Sequence, residues 1–569
     1  MDTRRLVLFV IFSMSILMLW EAWQRQHAPA EITQQISSNA PTDNSVPSQS
    51  TNATVIAKTE MPAESDYKLA SGQRISVVTD LYKADIETTG GDLRRLELLK
   101  HRGSDNDKTN YILLGEVDAS GKPMTYVAQT GLLGTDLPTH KSLFTSAATH
   151  YQMQEGQDAI EVRLSSISNG VAVDKVYTFH RNKYAIDVNY EIKNGSASAI
   201  MPKVYYQIVH DNESNQGSKM MPSFTGGSYY TKDKNFNKVS FSSFTDNEKN
   251  KKPLDVTSND GWIGLLQHYF VSAWIPKDGL AREFYADKIN EHLYRIGSIS
   301  TLSSIAPGES LTVPARLFSG PQTKQDLSET APGLEYTVDY GKLTVVAAPL
   351  FWVLSKIYGW VNNWGVAIIL LTLLIKAAFY PLSAKSYRSM AQMREIAPRL
   401  EVLKQKFGDD RQKMQMAMMD IYKTEKINPM SGCLPILIQI PVFISLYWML
   451  LGSVELRHAP FFGWIQDLSA TDKFFGVIPI WGGIPIGLLP IIMGLSMIIQ
   501  TKLNPKPADP IQAKVMTWMP VIFSLFFFFF PAGLVLYWVV NNIISIWQQW
   551  YINKSIHAAA LLKKSGDKH

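Results

Sequence analysis

Two periodicities divide this chain. Between about residues 68 and 335, apolar and polar positions alternate, as in RISVVTDLYKADIETTGG, AIEVRLSSISNGVAVDKVYTFHRNKYAIDVNYEI and ESLTVPARLFSGP. Turn signals at Gly90-Gly91, Asn169-Gly170 and Asn194-Gly195 punctuate them. A period of two broken by such turns predicts strands, here a large, mostly β domain of the sandwich type. After Leu334 the alternation gives way to long apolar runs, which predict spans near 343–380, 431–452, 477–502, 515–530 and 534–552. The first run has room for an amphipathic lead-in, KLTVVAAPLFWVLSKIYGW, lying at a membrane surface. The last two are joined only by Pro531-Ala532-Gly533, which predicts a tight hairpin. Residues 515–530 are short for a span, so tilt or local bilayer thinning is expected there.

The first residues, 1–23, are a further apolar run behind Arg4 and Arg5, closed by Trp20, Glu21 and Trp23. A cleaved signal peptide and a retained signal anchor compete here. Ala28-Pro29-Ala30 resembles a cleavage site, but Pro29 interrupts it and the tryptophans suit an interfacial belt, so the anchor is favoured. Residues 24–67 are rich in Pro, Ser, Thr, Asn and Gln and read as a flexible linker.

Charge orients these spans. The segment 381–430 carries Lys385, Arg388, Arg394, Arg399, Lys404, Lys406, Arg411, Lys413, Lys423 and Lys426, whereas 453–476 has only Arg457 and Lys473. Lys502, Lys506 and Lys514 flank the next connection, and Lys563, Lys564 and Lys568 lie in the tail. The positive-inside rule then places 381–430 and both termini in the cytoplasm and the β domain outside, with six spans in all. At 569 residues the chain exceeds one ordinary domain, and its formal charge of +5 is mild. Basic residues gather beside apolar segments rather than on an arm, which argues against DNA as a partner. Cys433 is the single cysteine, which excludes an intrachain disulfide or a cysteine-held metal. No GxxxxGK[ST] phosphate loop occurs, and no metal or cofactor is expected.

Within 381–430, SAKSYRSMAQMREIAPRLEVLKQKF and DDRQKMQMAMMDIYKTEKI both have helical spacing, with Asp409 or Asp410 placed to cap the second helix. Met390, Met393, Met414, Met418 and Met419, with Met416, give this cytoplasmic hairpin an adaptable apolar surface for partners. They also suit mere packing of one helix on the other, and the basic face suits anionic lipid.

The most unusual residue is Lys376, inside IILLTLLIKAAFYPL. Five residues before Pro381, it has the reach to snorkel to the headgroups. Alternatively it lines a hydrated groove, because a lysine at a helix centre in lipid costs roughly 2.5–3.5 kcal/mol. Thr372 shares its face one turn earlier, and Gln439, Ser445, Gln500, Thr517, Ser524, Asn541 and Asn542 supply polar groups in the other apolar runs. No acidic partner is visible inside the runs, which argues against a proton relay.

KINPMSGCLPILIQIPVFISLYWMLLGSVELRHAPFFGWIQDLSA, MTWMPVIFSLFFFFFPAGLVLYWVVNNIISIWQQW and Phe379-Tyr380-Pro381-Leu382 together resemble the YidC/Oxa family of membrane protein insertases. The likeness covers 341–553, and the N-terminal anchor with a large outer domain is similar to the family's Gram-negative form. The resemblance implies a five-helix insertase core at 336–553 and a periplasmic β-sandwich at 68–335 in the bacterial inner membrane, with a basic cytoplasmic tail at 554–569. It implies insertion and folding of nascent membrane proteins, alone or beside the Sec translocon, without nucleotide hydrolysis. Ribosome and signal recognition particle or its receptor are implied partners, along with the lipid bilayer. The tail suits contact with ribosomal RNA or with lipid.

The family carries one positive groove residue, usually arginine. Lys376 occupies that position and Thr372 matches a threonine one turn earlier, so the charge is kept and the bidentate fork is lost. Tyr537-Trp538 stand where the family has paired tyrosines, Gln500 is carried over as a further groove residue, and Gln439, a polar group of the second run, is placed in the same groove. A small-solute transporter would need inverted repeats or paired mid-membrane charges, and neither is seen. A membrane-tethered sugar-modifying enzyme would draw on His210, His268 and Glu283, which form no evident acid–base pair.

Overall fold

The computed structural model describes residues 69, 71–103, 109–118, 120–211, 224–244, 254–407, 410–425, 434–479, 483–504 and 510–566. The expected N-terminal anchor, the linker, Cys433 and the last residues of the tail lie outside them.

Among the described residues the alternating region forms two large sheets, of ten and nine strands, between Arg74–Val78 and Ser310–Pro321, antiparallel except where His150–Gln152 runs parallel to Arg74–Val78 at one edge. They stack as a β-sandwich. Alternation does what it should: along Ala185–Asn194 every second side chain is buried, and Ile186, Val188, Tyr190 and Ile192 enter the common core. Asn169 and Gly170 both take positive φ, at 46° and 80°, between the paired residues Ser168 and Val171. That is the two-residue turn whose twist matches a hairpin. Lys175, fully buried between the sheets, donates to the carbonyls of Gly90 (2.9 Å) and Thr130 (3.0 Å) beside Asp92. These bonds tie one sheet to the other, and burial pulls the ammonium down to about 8.

Helices α1 (Lys324–Thr330) and α2 (Thr344–Val361) carry the chain out of the sandwich. The helical region continues as α3 (Trp364–Ala378), α4 (Tyr380–Glu395), α5 (Ala397–Phe407), α6 (Arg411–Thr424), α7 (Leu434–Gly452), α8 (Leu488–Leu503), α9 (Pro510–Phe527) and α10 (Ala532–Gly566). Among the described residues, α2 is the one helix long and apolar enough to cross a membrane by itself, and α3 with α4 qualify as a pair bent by 67°.

Several sequence boundaries need correction. The lead-in expected within 343–380 is a helix of its own, α2, and the boundary falls at Asn362, which adopts φ 51°, after which Asn363 caps α3 by accepting from the Val366 amide at 3.0 Å. The run 477–502 begins as a short hairpin, Val477–Ile478 paired with Ile484–Pro485, and becomes helical only at Leu488. Pro479, Gly483, Pro485 and Gly487 explain the delay. Ala532 and Gly533 belong to α10 rather than to a connecting turn. The first arm of the expected hairpin is two helices, interrupted at Ile396 just before Pro398.

The sandwich and the helices meet at the loop after α7. The Arg457 guanidinium lies over the rings of Tyr111 (5.2 Å) and Phe270 (5.7 Å) and donates to the Gly103 carbonyl at 3.0 Å. His268 donates from Nε2 to the Leu451 carbonyl at 2.9 Å.

Candidate functional site, a buried polar cluster among the apolar helices

In NNIISIWQQW the polar side chains Asn541, Ser545, Gln548 and Gln549 recur at helical spacing, so they share one face of α10. All four are buried, as is Asn542. Buried polar groups need partners, and Asn542 and Gln549 find them on or just past α8, while the side-chain oxygens of Gln548 and Gln549 have none among the described residues. Asn542 Nδ2 donates to Ser496 Oγ on α8 at 3.0 Å. Gln549 Nε2 donates to the Leu503 carbonyl at 3.0 Å and to Asn504 Oδ1 at 3.2 Å, just past the end of α8.

Lys376 comes to this face from α3. Its side chain is 7% exposed, and Nζ donates to Ser545 Oγ at 2.7 Å. Ser545 in turn donates to the Asn541 carbonyl one turn back, at 2.7 Å. Among the described residues no carboxylate lies within 4.0 Å of the ammonium to form an ion pair. Lys376 stands in the last turn of α3, two residues before the helix ends at Ala378 and the chain bends by 67°. The negative end of the helix dipole favours a cation there. The apolar run therefore does not carry a charge at mid-helix, but one at a helix end folded inward.

Thr372 is buried on the same helix, but its hydroxyl donates to the Ile368 carbonyl at 2.7 Å, within α3. Gln439 on α7 donates to Asn541 Oδ1 and, at 3.4 Å, to the Tyr537 hydroxyl. Tyr537 and Trp538 part company. Tyr537 is buried toward the amides, while the half-buried Trp538 ring packs edge-on against Phe443 (5.0 Å) of α7 and Phe527 (5.7 Å) of α9. Consecutive helical residues lie about 100° apart, so one turn of α10 presents both a polar and an aromatic wall. Gln500 is half-buried one turn after Ser496 on α8. The cluster joins α3, α7, α8 and α10 through neutral hydrogen-bond partners around a single cation.

The methionines divide. Met390 packs with Ala384, Tyr387, Ile552 and Ile556, against α10. Met393, Met414 and Met418 are half-buried, and Met416 and Met419 are exposed on α6. Asp410 caps α6 by accepting from the Lys413 amide at 3.1 Å, and Arg399 pairs with Glu425 at 2.6 Å across α5 and α6.

Sequence reasoning missed Ser545, Ser496, Gln548 and Gln549. The spacing of polar residues in the last apolar run carried the signal, since a stripe at i, i+4 and i+7 or i+8 is a face. The sandwich candidates do not converge. His210 is buried with its Nε2 2.7 Å from Gln267 Nε2, and His268 serves the joint with α7. Glu283 faces neither, lying between Thr257 and Ile299 in its sheet.

Family models match in two adjacent blocks, the YidC periplasmic domain over residues 74–353 and the 60Kd inner membrane protein over residues 356–559. The chain is 61% identical over 567 residues to the membrane protein insertase YidC of Methylobacillus flagellatus, covering 99% of each. To that of Nitrosospira multiformis it is 48% identical over 578 residues, covering 98% of each. A solved structure of an active YidC insertase with its first transmembrane domain resolved aligns at 19% identity and TM-score 0.38, over 85% of this chain and 93% of that one.

Proposed function

The chain belongs to the YidC/Oxa family of membrane protein insertases, and on that premise we propose how its parts carry a client into the bilayer. It is an inner-membrane insertase with a periplasmic domain, it is not an enzyme, and its clients are membrane proteins. In our reading the N-terminal anchor and the five-helix core make six spans, with both termini and the 381–430 hairpin in the cytoplasm and the sandwich in the periplasm.

The cluster around Lys376 is the client groove. The observation that carries this is the partner of the ammonium, a serine hydroxyl at 2.7 Å rather than a carboxylate. A hydroxyl is exchangeable. A carboxylate on the polar flank of a client replaces it with an ion pair of greater strength, and a water replaces it with a bond of the same kind. Gln439, Tyr537, Asn541 and Asn542 offer neutral donors and acceptors to the same flank, and Thr372 and Gln500 border it. Trp538, with Phe443 and Phe527, forms an adjoining apolar wall along which the client's own apolar side chains leave for lipid. Burial of apolar area at about 25 cal/mol per Å² drives that exit, so no fuel is consumed. Lysine suffices for this role because the task is point charge and hydration, not a planar fork.

The exposed Met416 and Met419, among the basic residues of the hairpin, suit varied apolar segments presented by a ribosome, by the signal recognition particle or its receptor, or by the Sec translocon. Reconstituted chain carrying Lys376→Ala is expected to fail with a client whose translocated tail is acidic, while Lys376→Arg supports it. Normal insertion by Lys376→Glu would refute the electrostatic role.

A further inference from the structure

The segment between α7 and α8 buries Ile465 and Leu468 against the helices but turns most of its large apolar side chains outward. Phe462 (62% exposed), Trp464, Phe474, Phe475 (60% exposed), Val477 and Ile478 point outward. The acids point inward. Asp472 is 6% exposed and accepts from the Phe474 and Leu489 amides at 3.1 Å and 2.8 Å, capping the start of α8. Asp467 accepts from the Ser469 amide at 2.7 Å and pairs with His458 at 3.3 Å. A loop facing water does the reverse, because scattered apolar residues are tolerated at a surface but a contiguous aromatic patch marks a contact.

The patch is continuous and rigidly held. The rings of Trp464 and Phe474 meet edge-on at 5.2 Å, joining the two halves of the loop. Beneath them the backbone is pinned to the start of α10, with the Ala532 amide donating to the Ala470 carbonyl at 2.8 Å and the Gly533 amide to Leu468 at 2.9 Å. The loop thus cannot fold its aromatics away without breaking from the helices. It leaves α7 and enters α8, the two apolar helices it connects, at the end where the sandwich sits.

We propose that the 460–479 loop is an interfacial anchor whose aromatic patch lies in the outer leaflet of the bilayer, against the boundary of headgroups and acyl chains. Aromatic rings concentrate at that depth, and the exposed Lys473 at the rim stands where lipid phosphates lie. Anchoring fixes the height of the α7 and α8 ends, and with them the outer closure of the cluster below. The assignment to the outer leaflet rests on the orientation proposed above.

The test uses the full chain with Cys433→Ser, bearing one nitroxide at Phe475→Cys, Val477→Cys or the sandwich control Ile167→Cys (Ile167 is 78% exposed). Each is reconstituted in phosphatidylethanolamine–phosphatidylglycerol vesicles, and relaxation by oxygen is compared with that by a water-soluble nickel chelate. The expected oxygen-to-nickel ratio at 475 and 477 is several-fold that at 167. Equal ratios at all three positions overturn the proposal. So does low access to both reagents at 475 and 477, which would mean a protein covers the patch. No client is added, so a chain that fails to insert clients still reports the depth of its loop.

Discussion

Lys376 and Ser545 lie 169 positions apart in the chain and meet at 2.7 Å, the ammonium donating to the hydroxyl. The contact exists because α3 ends at Ala378 and α10 carries its polar face past that end.

Removing the hydroxyl should hurt by leaving a buried cation short of a partner. Ser545→Ala is expected to cost about 1–3 kcal/mol of stability, and its effect should shrink markedly in a Lys376→Ala background. Thermal unfolding of the four proteins in detergent measures the coupling. Strictly additive losses would show that the two side chains act separately.

Gln439 has two partners on α10. The bond to the Tyr537 hydroxyl is long at 3.4 Å, and the other runs to the side-chain carbonyl of buried Asn541. Tyr537→Phe should therefore lose less than about 1 kcal/mol, and Gln439→Leu about 1–3 kcal/mol, because the second strips a donor from buried Asn541. Insertion of a client with a polar flank is expected to follow the same order. A larger defect in Tyr537→Phe would point to a direct role for the hydroxyl at the client.

The sandwich should be acid-sensitive through His210. Complete burial pushes its imidazole from 6.5 down to about 4, and the neutral ring accepts from the Gln267 amide. The unfolded chain takes up the proton first, so this stability is intact above 6.5 and is lost as pH falls toward 4. The whole window is worth on the order of 3 kcal/mol. Melting of the full chain between pH 7 and 4.5 should show a steeper loss than in His210→Gln. Parallel curves would assign the acid sensitivity elsewhere, first to His101, which burial and Arg457 also hold near 4.

Arg457 joins the two regions by a flat guanidinium over Tyr111 and Phe270. Lysine keeps the charge but not the planar contact, so Arg457→Lys is expected to weaken the joint by about 0.5–2 kcal/mol. Hydrogen exchange at residues 109–118 and 453–458 should rise together, with the interior strands unchanged. Unaltered exchange would mean that the His268 bond to Leu451 suffices alone.

Space at the head of α3 is equally specific. A Cβ on Gly365 would sit 2.1 Å from the Phe461 ring. Gly365→Ala should therefore cost about 1–3 kcal/mol through displacement of that ring, and the companion Phe461→Ala should relieve the clash. A melting point equal to that of the parent chain would show that the ring moves freely.

Local chemistry made much of this protein legible in its sequence. Period-two alternation and the Asn169-Gly170 turn announce strands and a hairpin whatever surrounds them, because side-chain direction and positive φ are properties of the local backbone. Long apolar runs announce helices that meet no water, and the family resemblance rests on the same runs. Other facts needed distant residues. Whether Lys376 faced lipid, water or protein turned on a bend of 67° and a partner on α10, whereas the break within 343–380 lies with the local Asn362 and Asn363. Thr372, correctly placed on the same helix, spends its hydroxyl on its own backbone. The outward patch of the loop at 460–479 was likewise invisible, since the aromatics and acids there follow no period. Which of them face outward is set by the folded backbone of the loop, bonded to itself and to the start of α10.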